Sequence, residues 1–147
     1  MATGTGAVLL SVNGNGSRAG VINVPYGSSF PAPADGRLAC DAAARCVVVG
    51  RQSDGTAILS VFALGAGGAW TDESGSGFPS ATSVGQAVDV DGDGVLEIAV
   101  QESDGSHTGW IVFAWSGDKF TIKGCAPAGG SAAVPAPGAL SPDACLS

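Results

Sequence analysis

Two long stretches of this chain align on each other, and that internal repeat restricts the possible fold more than any other feature of the sequence. Gly75-Ser76-Gly77-Phe78-Pro79 falls under Gly27-Ser28-Ser29-Phe30-Pro31, and Gln101-Glu102-Ser103-Asp104-Gly105 under Arg51-Gln52-Ser53-Asp54-Gly55. Val112-Phe113-Ala114-Trp115 falls under Val61-Phe62-Ala63-Leu64. The offsets, 48 to 51 residues, are those of a repeated supersecondary unit. A third, partial copy opens the chain, where Asn15-Gly16-Ser17-Arg18-Ala19-Gly20-Val21-Ile22 matches Asp104-Gly105-Ser106-His107-Thr108-Gly109-Trp110-Ile111. Each copy carries Asn-Gly or Asp-Gly, the pairs best suited to the positive φ of a tight hairpin turn.

The segments around these turns read as strands. Val47-Val48-Val49, Ala57-Ile58-Leu59-Ser60-Val61-Phe62 and Trp110-Ile111-Val112-Phe113 are short apolar runs, rich in β-branched and aromatic residues and bounded by Gly, Asp, Asn and Ser. No helical period is sustained anywhere. The expectation is an all-β, antiparallel, disulfide-stapled single domain of blade-like repeat units: a partial repeat or hairpin over 1–27, units over 28–75 and 76–124, and a Pro/Ala-rich tail over 125–147. Two and a half blades cannot close a propeller, which typically needs 4–8. The sheets therefore pack as a small sandwich, or another chain completes the open array, since an uncovered sheet edge offers unpaired N–H and C=O groups for strand addition.

In the second unit, Asp89-Val90-Asp91-Gly92-Asp93-Gly94-Val95-Leu96-Glu97 sets carboxylates at positions one, three, five and nine around a glycine-rich turn. Calcium is a hard cation that takes roughly 6–8 oxygen ligands, so a short loop must curl around it with alternate side chains inward. Asp89, Asp91, Asp93 and Glu97 supply side chains in this reading, and Val95 a carbonyl. An EF-hand shares this opening but needs an acid at the twelfth position and a helix on each side. Here that position is Val100, and Ile98-Ala99-Val100 reads as a strand. A solvated acidic turn is the plainer alternative.

D-x-D-G-D-G-x-x-E running into an apolar strand resembles the calcium loop of the FG-GAP/VCBS repeats, the β-propeller blades of integrin α-chains and many secreted bacterial proteins. The resemblance is specific over the loop and looser over the repeats. It implies a calcium loop joining two strands of one blade, with ligands at Asp89, Asp91, Asp93, the Val95 carbonyl and Glu97. Glu97 stands where that family usually has Asp.

The repeat also aligns Gly36-Arg37-Leu38-Ala39-Cys40 with Gly85-Gln86-Ala87-Val88-Asp89, which puts Cys40 where the other copy has its first acid. Cys40 and Cys46 bracket the equivalent loop, so a disulfide is expected to close the loop in one unit and calcium in the other. Cys125 with Cys145 then pins the tail. Four cysteines in a small acidic chain suggest an oxidising, extracellular compartment. Met1-Ala2-Thr3-Gly4 is not a signal peptide, and Met1 is read as replacing one. Zinc is disfavoured because the cysteine spacings lack C-x2–4-C.

A formal charge of −7 with only six Lys and Arg argues against a nucleic-acid surface, and no apolar run approaches the ~20 residues of a membrane span. Catalysis finds little support. His107 is the only histidine and sits at a hairpin tip. Ser74-Gly75-Ser76-Gly77 lacks the nucleophile-elbow pattern, and Gly4-Thr5-Gly6 and Gly14-Asn15-Gly16 precede no Walker lysine. Asp54, Asp72, Glu73, Glu102 and Asp118 fall mainly at turns, with no visible pairing of the kind a glycosidase needs.

Trp70, Trp110, Trp115 and Tyr26 are the candidates for a recognition surface. Trp110 and Trp115 have odd spacing, so one of them is expected to point outward. The functional expectation is a secreted, non-enzymatic module whose calcium fixes the geometry of a protein-binding surface, as in an adaptor subunit of a larger extracellular complex. The alternatives are a carbohydrate-binding module and a small enzyme inhibitor presenting the Cys40–Cys46 loop.

Overall fold

The computed structural model describes residues 7–27, 29, 30 and 37–146. Gly4-Thr5-Gly6, Ser28, Pro31 and Gly36 of the sequence reading lie outside them. Eleven strands form three antiparallel sheets, with no α-helix among the described residues. β1 (Ala7–Val12) and β2 (Arg18–Val24) make a hairpin. The second sheet runs β3 (Leu38–Cys40), β4 (Arg45–Arg51), β5 (Ala57–Leu64) and β6 (Trp70–Asp72), and β7 (Phe78–Pro79) also pairs with β5. The third is a meander of β8 (Gly85–Val88), β9 (Glu97–Ser103), β10 (Thr108–Trp115) and β11 (Phe120–Pro127). The two larger sheets repeat the same strand path.

The three hairpin tips share one construction. Asn15 Oδ1 accepts the Ser17 N–H (3.0 Å), Asp54 Oδ1 the Thr56 N–H (2.9 Å) and Asp104 Oδ1 the Ser106 N–H (2.9 Å). The hydroxyl of the same Ser or Thr donates to that oxygen in each copy. A short polar side chain that bonds the backbone two residues on holds the turn locally, and so specifies it in the sequence.

The sheets stack face to face. Val47, Val49, Leu59 and Val61 of the second sheet meet Ile98 and Val100 of the third in one apolar cluster. The other face of the second sheet, with Cys46, Val48 and Phe62, receives Leu9 and Val24 of the hairpin. The other face of the third, with Ala99, Trp110 and Val112, is covered by Ala128, Val134 and Leu140 of the tail. The order is hairpin, sheet, sheet, tail, and the arrangement is sandwich-like with no closed barrel. β4, β5 and β9 are therefore buried on both faces, which is why residues 47–49, 57–62 and 98–100 do not alternate between apolar and charged residues.

Two junctions hold the outer layers on. Ser11 Oγ donates to the Gly68 carbonyl at 2.5 Å, and at Gly20 a Cβ would lie 2.1 Å from that same oxygen, so only glycine permits this approach. At the far end, Cys125 is bonded to Cys145, while Cys125 and Ser141 exchange backbone hydrogen bonds of 3.0 and 2.9 Å. β11 runs through residue 127 and β7 joins the first unit's sheet, so the sheets are less separate than the sequence boundaries at 75 and 124 suggest.

Candidate metal centre

Asp89 follows β8 and Glu97 begins β9, with Val88 opposite Glu97, so paired strands clamp both ends of the acidic loop. Between them Gly92 and Gly94 take φ of 78° and 85° with open space where a Cβ would stand. Backbone angle, not crowding, selects glycine here. Asp89 organises the curl: Oδ1 accepts the N–H of Gly92 (2.7 Å) and of Asp93 (3.1 Å), and Oδ2 that of Gly94 (2.8 Å). Glu97 Oε2 accepts the Val90 N–H at 2.7 Å, and Asp91 Oδ1 the Asp93 N–H at 3.3 Å.

The result brings three of the four acids together. Asp89, Asp91 and Glu97 each offer an oxygen within 4.8 Å of the other two, with Glu97 buried and Asp91 exposed. Asp93 lies outside this trio, its Oδ1 accepting the Val95 N–H at 2.8 Å. Three convergent oxygen donors suit a hard divalent cation.

A fourth participant comes from β11. Lys123 Nζ donates to Asp91 Oδ2 and, at 2.9 Å, to Glu97 Oε1. Opposite Val112 and Phe113 the register of β11 jumps from Gly124 to Ile122, which leaves Lys123 as the extra residue of a β-bulge. A cation thus already stands among the carboxylates. The Lys123 hydrogen bond holds the Asp91 carboxyl below its ordinary range. Burial works against the charge on Lys123, but its bonds to Asp91 and Glu97 outweigh that and raise its pKa.

The disulfide loop docks onto the acidic one. Cys40 and Cys46 are register partners on β3 and β4 and are bonded to each other, as Cys125 is to Cys145. Ala39 faces Val47 as Val88 faces Glu97, so the disulfide loop and the acidic loop occupy equivalent corners of their sheets. Asp41 accepts the Arg45 N–H (2.9 Å) with one oxygen and the Leu96 N–H (3.0 Å) with the other, and the Ala42 N–H reaches the Gly94 carbonyl at 3.3 Å.

The aromatic candidates do not form one surface. Trp110 is 1% exposed, between its sheet and the tail, and so is withdrawn as a surface residue. Trp70 packs beside Phe62 on the hairpin side of the second sheet. The guanidinium of Arg45, itself paired with Glu73 at 2.8 Å, lies 4.1 Å from the centroid of the Trp115 ring. Tyr26 is half-buried and donates its hydroxyl to the Gly75 carbonyl.

His107 is 77% exposed at its hairpin tip, 3.4 Å from Asp104. The groove of about 500 Å³ that it borders with Thr82, Gln101 and Ser131 has no carboxylate in its lining. Sequence reasoning missed Lys123, Asp41 and the Arg45–Trp115 contact, none of which belongs to a motif. A lysine beside Gly124 in an otherwise uncharged strand was the single visible hint of the first.

Comparison of the chain with known protein families, with characterised proteins and with solved structures found no match in any of the three. Among the described residues no helix is long and apolar enough to cross a membrane.

Proposed function

We propose that this protein is a secreted, non-enzymatic interaction module, with a cation-stabilised loop at one corner and a protein-docking face at one end. The observation that carries the docking role is the outer face of the first hairpin. Val8, Leu10, Val12 and Val21 are 52, 55, 65 and 51% exposed, and Val8 and Leu10 stand opposite Asn23 and Val21. Every other sheet face in the stack is covered by the next layer, as repeat units require. An apolar sheet face with no layer over it among the described residues is suited to a further β-sheet supplied by a protein partner.

The trio of Asp89, Asp91 and Glu97, together with the likeness of its loop to FG-GAP/VCBS repeats, supports calcium as the loop's divalent ion. The two disulfides support an oxidising compartment. The glycan reading has less to stand on, because Trp110 is buried and Trp115 is capped by Arg45. The inhibitor reading needs a free rigid loop, whereas Asp41 and Ala42 are tied to the acidic loop.

The test is capture of secreted proteins on the oxidised chain, in calcium, beside the same chain carrying Leu10→Asp. One defined protein held by the wild type and lost by the variant is the expected result. Equal recovery by both, or by neither, sinks the docking face.

A further inference from the structure

We propose that Lys123 is the built-in cation of the acidic loop, and that a divalent ion binds there only by displacing it. The inference rests on the metal reading above and concerns what sets the site's affinity. Its ground is the position of one ammonium group, which bonds two of the three convergent carboxylates.

Glu97 makes some such partner necessary. Its side chain is 4% exposed, and a buried carboxylate without compensation is strongly disfavoured. One of its oxygens takes the Val90 N–H and the other takes Lys123. Lys123 is aimed there by an irregularity built into the strand. In the sheet order β10 lies between β11 and β9, and the bulge at Lys123 turns the side chain so that it reaches past β10 to the head of β9. A regular β11 would carry no extra residue at this position.

The two cations exclude each other. A divalent ion among the trio competes with the ammonium for the carboxylates of Asp91 and Glu97, and at such range two positive charges repel strongly. Lys123 can yield, because its side chain is 25% exposed and a lysine stem is flexible. Metal affinity is then reduced by the work of moving Lys123 into solvent. The loop keeps its shape without metal, and binds metal only above a raised threshold.

The experiment is a calcium titration of the oxidised full chain by calorimetry for the wild type, Lys123→Met, Lys123→Arg and Asp91→Ala. Lys123→Met keeps an unbranched apolar stem and removes the charge, so it is expected to bind calcium at least about tenfold more tightly than the wild type. Lys123→Arg retains a cation and is expected to bind no more tightly than the wild type. Binding only by the Met variant also supports the proposal. Equal affinities of the wild type and Lys123→Met overturn it, and leave the metal reading standing if Asp91→Ala loses binding. No binding by any variant overturns both.

A second readout needs no substitution. The chain has two lysines, and Lys119 is exposed. Acetylation of Lys123 relative to Lys119, followed by mass spectrometry, is expected to be slow in chelator and to rise severalfold in calcium that saturates the wild type. An unchanged ratio under saturation overturns the displacement.

Discussion

The carboxylate of Asp41 lies 3.0 Å from the main-chain nitrogen of Leu96, 55 residues away, and its other oxygen holds the N–H of Arg45. One side chain thus joins the disulfide loop of one repeat to the acidic loop of the next. Replacing Asp41 by Ala strands both donors, and a lost partner in a part-buried site costs about 1–3 kcal/mol. Urea denaturation of Asp41→Ala is expected to show a lower midpoint at unchanged slope, with Asp41→Asn in between. An unchanged midpoint for the Ala variant argues against any coupling of the loops.

Calcium is expected to raise the melting temperature of the wild type over that in chelator, because an ion that binds only the folded chain stabilises it by mass action. Asp91→Ala removes one carboxylate of the trio and one partner of Lys123, so it is expected to melt lower and to show no difference between calcium and chelator. A melting temperature indifferent to chelator in both the wild type and Lys123→Met ends the calcium assignment.

Acid should weaken the hairpin tips. The Thr56 hydroxyl and N–H hold the Asp54 carboxyl below its ordinary range, and the His107 and Ser106 N–H groups hold Asp104 well below it. A carboxyl depressed in the folded state contributes stability that is present above its unfolded value and is lost as pH falls through the folded one. The wild type is therefore expected to keep its urea midpoint at neutral pH and lose it from about pH 4 downward. The Asp54→Asn, Asp104→Asn double variant should lose less over that acid range. Parallel curves for the two proteins count against this account.

Trp110 fills the space between the third sheet and the tail at 1% exposure. Its truncation to Ala is expected to cost about 3–5 kcal/mol, a large part of the ~5–15 kcal/mol that such domains possess. Trp110→Phe should cost less. Chemical denaturation measures both, and a small loss for the Ala variant shows that the tail does not pack as described.

What the sequence made legible is local. The repeat, the three Asx-Gly tips and the strands between them can be read because each turn is held by its own side chains. The pairing of Cys40 with Cys46 followed from aligning the copies. The odd spacing of Trp110 and Trp115 implied opposite faces but not what covers them: Trp110 lies under the tail, and Trp115 lies against Phe120 and beneath Arg45. The bulge that aims Lys123 depends on how β11 pairs with β10, and no residue in the strand announces it. Asp93 looked equivalent to its neighbours in the motif, yet its carboxylate turns back to the Val95 N–H.

On the docking reading proposed above, the hairpin face that no layer covers among the described residues is the adhesive side, and the disulfide-pinned tail fills the face at the other end of the stack. A block with a single adhesive side makes pairs or finishes a row, but cannot lengthen it, since growth into fibres needs a complementary surface at the opposite pole. Here that pole is occupied by the chain's own Val134 and Leu140, fastened through Cys125 and Cys145. On that proposal, a partner seated at Val8 and Leu10 would cap this stack, and the covered tail side would not pass the row on.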